Sequence, residues 1–87
     1  MSPGEAGRGS RQNGGMVRFS DVDVFLAVVE AGSFRGAVSK LGVSRSTVSR
    51  AIQRLEEHLS AALILRDTQS IRLTDAGTAY YRHARIA

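Results

Sequence analysis

The stretch from Ser33 to Leu59, SFRGAVSKLGVSRSTVSRAIQRLEEHL, decides the fold. It opens on Ser33, a good N-cap because its hydroxyl can accept a bond from a free backbone amide at a helix start. Phe34, Ala37, Val38 and Leu41 then recur at the i, i+3, i+4, i+7 spacing of one helical face, and Gly42 supplies a stop. A helix of about two turns does not persist alone, so its neighbours must hold it. After Gly42-Val43, Ser44 caps a longer helix. At about 100° per residue, Val48, Ala51, Ile52, Leu55 and Leu59 share one face, and Arg45, Ser46, Ser49, Arg50, Gln53 and Arg54 occupy the opposite half. The outward half of its first three turns holds three arginines and no acid, and acids return only at Glu56 and Glu57. A short helix, a glycine turn and a capped helix with a polar outward face form the helix-turn-helix pattern.

The organisation upstream follows the same rules. Ser20 stands where an N-cap belongs, with Asp21 and Asp23 in the first turn, where carboxylates suit the positive end of the helix dipole. Val22, Phe25, Leu26 and Val29 mark the expected packing stripe, and Gly32 ends the helix. Met1 to Gly15 contains a single aliphatic residue, Ala6, and is expected to be a disordered extension. Its Arg8 and Arg11 are too few to read as a nucleic-acid arm.

Downstream of Leu59 the period changes. Ala61 to Leu65 and Ile71 to Leu73 read as two short strands around the polar turn Asp67-Thr68-Gln69-Ser70, a small wing. Thr74 then caps a last helix that reaches the end of the chain, with Asp75 in its first turn. The expected architecture is mainly α, a winged helix-turn-helix: an extension over 1–15, a DNA-binding domain over 17–73, and the start of a linker or dimerisation helix over 74–87.

Bulk properties narrow the function. The chain has 87 residues and no cysteine, so neither disulfides nor a thiolate metal site can staple it. His58 and His83 have no ligand spacing, and no metal or cofactor is expected. The net charge is +4, almost all of the positive charge coming from arginine, which fits a polyanionic partner. The sequence has no apolar run of the roughly 20 residues that span a bilayer and no signal-peptide core, and the chain is read as cytoplasmic. Glu56, Glu57 and His58 are consecutive and cannot converge on one helical face, and there is no phosphate loop or nucleophile elbow. An enzyme is not expected.

The outward face of the third helix carries the chemistry. Arginine can pair bidentately with guanine and glutamine with adenine in the major groove of DNA. Short hydroxyl side chains such as Ser46, Thr47 and Ser49 allow close approach and bond phosphate or base edges. The free amides after Ser44 favour a phosphate. The candidate DNA-binding residues are Ser33, Ser44, Arg45, Ser46, Thr47, Ser49, Arg50, Gln53, Arg54, and on the wing Arg66 and Arg72. On the last helix, Ala76, Tyr80 and Ala84 lie near one face with His83 beside them; this face packs against the domain, against a second copy, or both, and its residues are the candidate contacts of a homodimer.

These residues resemble a known family. The stretch FLAVVEAGSFRGAVSKLGVSRSTVSRAIQRLEEHL, followed by RLTDAG, is similar to the N-terminal DNA-binding domain of LysR-type transcriptional regulators. The resemblance covers Val17 to about Ala87. It implies a winged helix-turn-helix, a linker helix that pairs in a dimer, and a separate effector-binding domain, which this chain is expected to lack. It also implies a phosphate contact at Ser33, groove-facing positions at Arg45, Ser46, Ser49 and Arg50, and a wing contact at Arg66. There are departures. Arg45-Ser46 stands where Gln-Pro is common, Ser60 replaces a glycine after the third helix, Ile64 replaces a strand phenylalanine, and Gln69 and Ser70 replace basic residues near the wing tip.

Two functions follow as expectations. One is sequence-specific binding of double-stranded DNA by a dimer, with each third helix in a major groove. The other is an interaction module that pairs with a full-length regulator through its last helix, without productive DNA binding. In neither does this chain carry a small-molecule effector site.

Overall fold

The computed structural model describes residues 19–66 and 70–86 of the chain. The extension over 1–15 with Arg8 and Arg11, the hairpin tip Asp67-Thr68-Gln69, and Ala87 lie outside the described residues. In chain order the elements are α1 (Asp21–Ala31), α2 (Phe34–Leu41), α3 (Arg45–Leu59), β1 (Ile64–Arg66), β2 (Ile71–Leu73) and α4 (Asp75–Ile86). This is the winged helix-turn-helix expected.

Serine side chains start the first three helices. Ser20 Oγ accepts from the Asp23 amide at 3.0 Å, and the Asp23 carboxylate accepts from the Ser20 amide at 3.4 Å, a reciprocal capping box. Ser33 Oγ accepts from the Gly36 amide at 2.9 Å, and Ser44 Oγ from the Thr47 amide at 3.1 Å. Each such cap contributes about 1 kcal/mol to its helix. Gly32 and Gly42 end α1 and α2 in the left-handed region, at φ 77° and 68°. Ser60 does the same for α3 at φ 53°, a conformation that costs a residue with a Cβ.

The core is built from α1, α2 and α3 and closed by the approach to the wing. Val24, Phe25, Ala27, Val28, Phe34, Ala37, Val48, Ala51, Ile52, Leu55, Leu63 and Ile64 are buried. On α1 the buried arc is centred on Val24 and Val28, and of the expected stripe only Phe25 is fully buried; Val22, Leu26 and Val29 are half-buried. The reason is that α1 is apolar almost all round, so periodicity alone does not choose a face, and packing against α2 and α3 does. On α3, Leu59 is 36% exposed rather than part of the packed face, because the last turn runs past the core into the Ser60 cap.

The first wing strand is shorter than expected and displaced toward the tip, running from Ile64 to Arg66 instead of Ala61 to Leu65. It pairs antiparallel with β2 in the register Ile64–Leu73, Leu65–Arg72 and Arg66–Ile71. The ladder closes at Ile64 because the Leu63 amide is taken by a side chain, while its carbonyl still meets Thr74, its partner in register. The Leu63 amide donates to Glu56 Oε2 at 2.8 Å, its carbonyl accepts from the Thr74 amide at 3.0 Å, and the Ile64 amide also donates to Glu56 Oε2 at 3.3 Å. The Ile71 amide donates to the Gly32 carbonyl at 3.3 Å, which ties the wing to the α1–α2 turn.

α4 starts on this junction. Thr74 Oγ1 donates to the Ala62 carbonyl at 2.6 Å and accepts from the Gly77 amide at 2.9 Å. Gly77 is buried against Leu63, whose carbonyl oxygen a Cβ at that position would overlap. About one turn on, Tyr80 and Tyr81 meet Phe25 edge to face, with ring centroids 5.6 Å and 6.5 Å away. The first turns of α4 are therefore packed on α1.

Candidate nucleic-acid interface

α3 stands on its buried Val48, Ala51, Ile52 and Leu55 and turns its other side outward. Ser44, Arg45, Ser46, Thr47, Arg50, Gln53 and Arg54 are exposed, and Ser49 is half-buried. At the head of the helix, Ser44 Oγ lies 2.9 Å from Thr47 Oγ1 as well as capping the Thr47 amide. Both hydroxyls are thereby fixed beside the helix N-terminus, where the dipole favours an anion.

Three elements converge next to that end. Phe34 is the first residue of α2 and 4% exposed, and two guanidiniums lie over its ring. The Cζ of Arg45, from the start of α3, is 5.7 Å from the ring centroid, and that of Arg66, from the end of β1, is 4.5 Å away. Both fall within cation–π range. Arg66 Nη2 also donates to Ser49 Oγ at 3.3 Å. The wing arginine is thus folded back onto the outward face of α3, and Arg45, Ser49 and Arg66 form one cluster.

The remaining expected residues are placed differently. Arg54 is exposed, but its guanidinium is bidentate to Asp21 of α1, so an acid from another helix stands at the far end of the acid-free face. Ser33 caps α2, beside the cluster in sequence, and Arg35 is exposed two residues on. Arg72 is exposed on β2 opposite Leu65. On α4, Ala76 and His83 are exposed and Ala84 is half-buried, whereas Tyr80 is turned onto Phe25.

Two residues hold the site in ways that the sequence pattern does not show: by spacing, Phe34 is part of an apolar stripe and Glu56 is the point where acids resume. The role of Phe34 has a local signal, an aromatic at the first position of a short helix in an arginine-rich domain. That of Glu56 rests on the path of the chain after α3. Among the described residues no group of three His, Cys, Asp or Glu is placed to hold a metal ion. No described helix is long and apolar enough to cross a membrane.

Three packed helices, the third presenting a basic and hydroxyl face, together with a two-stranded wing make this a winged helix-turn-helix domain. Residues 19–78 match the family described as bacterial regulatory helix-turn-helix protein, lysR family, and the chain belongs to that family. An HTH-type transcriptional regulator of Xanthomonas campestris pv. campestris is 48% identical over 69 residues, which cover 78% of this chain and 20% of the relative. The chain spans about a fifth of the length of the curated relatives it matches. Among solved structures, that of the CbnR_DBD–DNA complex is similar at a TM-score of 0.73 with 38% identity, covering 76% of each chain. The BenM_DBD/catB site 1 DNA complex is similar at 0.72 with 36% identity, covering 76% of this chain and 74% of that one. These relatives are transcriptional regulators and DNA-binding domains, not enzymes.

Proposed function

We propose that this domain binds double-stranded DNA sequence-specifically as part of a transcriptional regulator, with α3 in the major groove. The observation that carries the reading is the outward face of α3, exposed from Ser44 to Arg54 and extended by Arg66 from the wing. Arg45, Arg50 and Gln53 are the side chains able to read base edges, Ser46, Thr47 and Ser49 allow close approach, and Ser33, Ser44, Arg66 and Arg72 meet phosphate. Arg54 reaches DNA only when it is released from Asp21. The similar domains whose structures are DNA complexes support the same partner.

The acting form is a homodimer that pairs through α4, with each α3 in one half-site of a dyad and the half-sites about one helical turn or a multiple apart. Ala76, His83 and Ala84 remain available for that pairing, and Tyr80 contributes only the side not turned onto Phe25. Selection of bound sequences from a random duplex pool tests the proposal. An enriched dyad motif with fixed half-site spacing is expected, and a pool that stays random after several rounds overturns sequence-specific binding.

A further inference from the structure

The cluster at Phe34 has a role beyond packing. We propose that Phe34 is a positioning residue for DNA binding, holding the guanidiniums of Arg45 and Arg66 over one ring so that wing and α3 meet DNA as a single preorganised unit. This rests on the DNA-binding reading above and names the device that makes the surface rigid.

The argument starts from the arginine side chain, which is long and has several rotatable bonds. Immobilising such a chain on a ligand carries an entropic cost that preorganisation removes. Arg45 and Arg66 are both exposed, yet each lies over the ring of a side chain that is itself 4% exposed and locked in the core. The nearer one, Arg66, is also oriented by Ser49 Oγ. Cation–π attraction does not use up the N–H donors of a guanidinium, which stay available to a phosphate or base edge; of these, Arg66 Nη2 already donates to Ser49 Oγ. Two like charges would separate in water. Here the π-cloud of one buried ring attracts both.

Two readouts test this. In the unliganded protein, the side-chain protons of Arg45 and Arg66 should show upfield ring-current shifts in NMR spectra that Phe34→Leu abolishes; a leucine keeps the apolar burial and removes only the ring. On a duplex carrying the selected dyad, Phe34→Leu should weaken binding by about two- to fivefold. Arg66→Gln should cost less in the Phe34→Leu background than in the unsubstituted chain. Ordinary chemical shifts for both arginines in the unsubstituted protein overturn the stack, and this arm stands even if Phe34→Leu does not fold. Shifted resonances with additive effects on binding overturn the positioning role. A chain with the ring-current shifts that binds no duplex refutes the DNA-binding reading, and the positioning role with it, while leaving the stack itself intact.

Discussion

Arg54 donates to Asp21 through two hydrogen bonds, Nε to Oδ2 at 3.1 Å and Nη2 to Oδ1 at 2.8 Å, so the last arginine of the α3 outward face is pinned to the first residue of α1. Two arginines of one helix face, one turn apart, are thus in different states: Arg50 is exposed toward the proposed groove and Arg54 is bound to a carboxylate.

This pair makes an ordering of effects. Arg54→Ala should weaken DNA binding less than Arg50→Ala, because Arg54 must first leave Asp21. Asp21→Asn should do the opposite, releasing Arg54 to a phosphate and steepening the salt dependence of log affinity by about one unit. Anisotropy titrations at several salt concentrations check both. An Arg54→Ala loss equal to that of Arg50→Ala would show that the ion pair does not withhold Arg54.

Gly77→Ala should be among the most damaging single-methyl changes in the domain. The added Cβ overlaps the Leu63 carbonyl oxygen and stands 2.9 Å from its carbon, and these are backbone atoms held by Glu56 and Thr74. Relief requires α4 to move off the wing, which costs about 3 kcal/mol. A thermal midpoint lowered by more than about 10 °C is expected for a domain of this size. An unchanged midpoint would mean that α4 is not seated on Leu63.

Ser60→Gly should stabilise the domain. Ser60 adopts φ 53°, where a Cβ costs about 1 kcal/mol and glycine fits without strain. A rise of the midpoint by about 4–8 °C follows, with no change in DNA affinity, since Ser60 lies at the end of α3 remote from Ser44. A fall would show that the serine hydroxyl contributes more than the strain removes.

The three helices and the wing were legible because their signals are local: a serine cap, an apolar period and a glycine stop for α1 and α2, and a polar turn between β-prone runs. What was not legible depends on the path of the chain in space. The buried arc of α1 could not be picked from Val22, Val24, Phe25, Leu26, Ala27, Val28 and Val29, all apolar. The displaced β1 follows from the Glu56 carboxylate capturing the amides of Leu63 and Ile64, contacts between residues 7 and 8 positions apart through a reversal of the chain. The α3 wheel correctly separated Val48, Ala51, Ile52 and Leu55 from the exposed side, yet a wheel contains no information about a neighbour from α1. Hence the wheel groups Arg54 with Arg50 although Asp21 holds it. The same spacing puts Phe34 in the core, but a wheel shows nothing of the two guanidiniums near its ring.

Acid should weaken the α1–α2 contact. Lys40 Nζ donates to Glu30 Oε1 at 2.8 Å, and this bond, then the lysine charge, hold the Glu30 carboxyl below its ordinary range, with slight burial opposing and Arg85 adding a little. A carboxyl whose folded-state pKa is depressed contributes stability that is fully present above its unfolded pKa and is lost as pH falls through the folded value. Between neutral pH and about pH 3, the unsubstituted domain should therefore lose slightly more stability than Glu30→Gln. Both side chains are about half exposed, so high salt should shrink the difference. Parallel pH profiles at low salt would show that the ion pair contributes nothing.

The most direct test of DNA reading by α3 is the affinity of the chain and of Arg50→Ala for a selected dyad and for a scrambled duplex, measured between about 50 and 200 mM salt. The expected result is affinity for both duplexes that falls steeply with salt, a preference for the dyad, and a loss of about 1–3 kcal/mol of that preference in Arg50→Ala. Equal affinity for dyad and scrambled duplex, unchanged by Arg50→Ala, would contradict it.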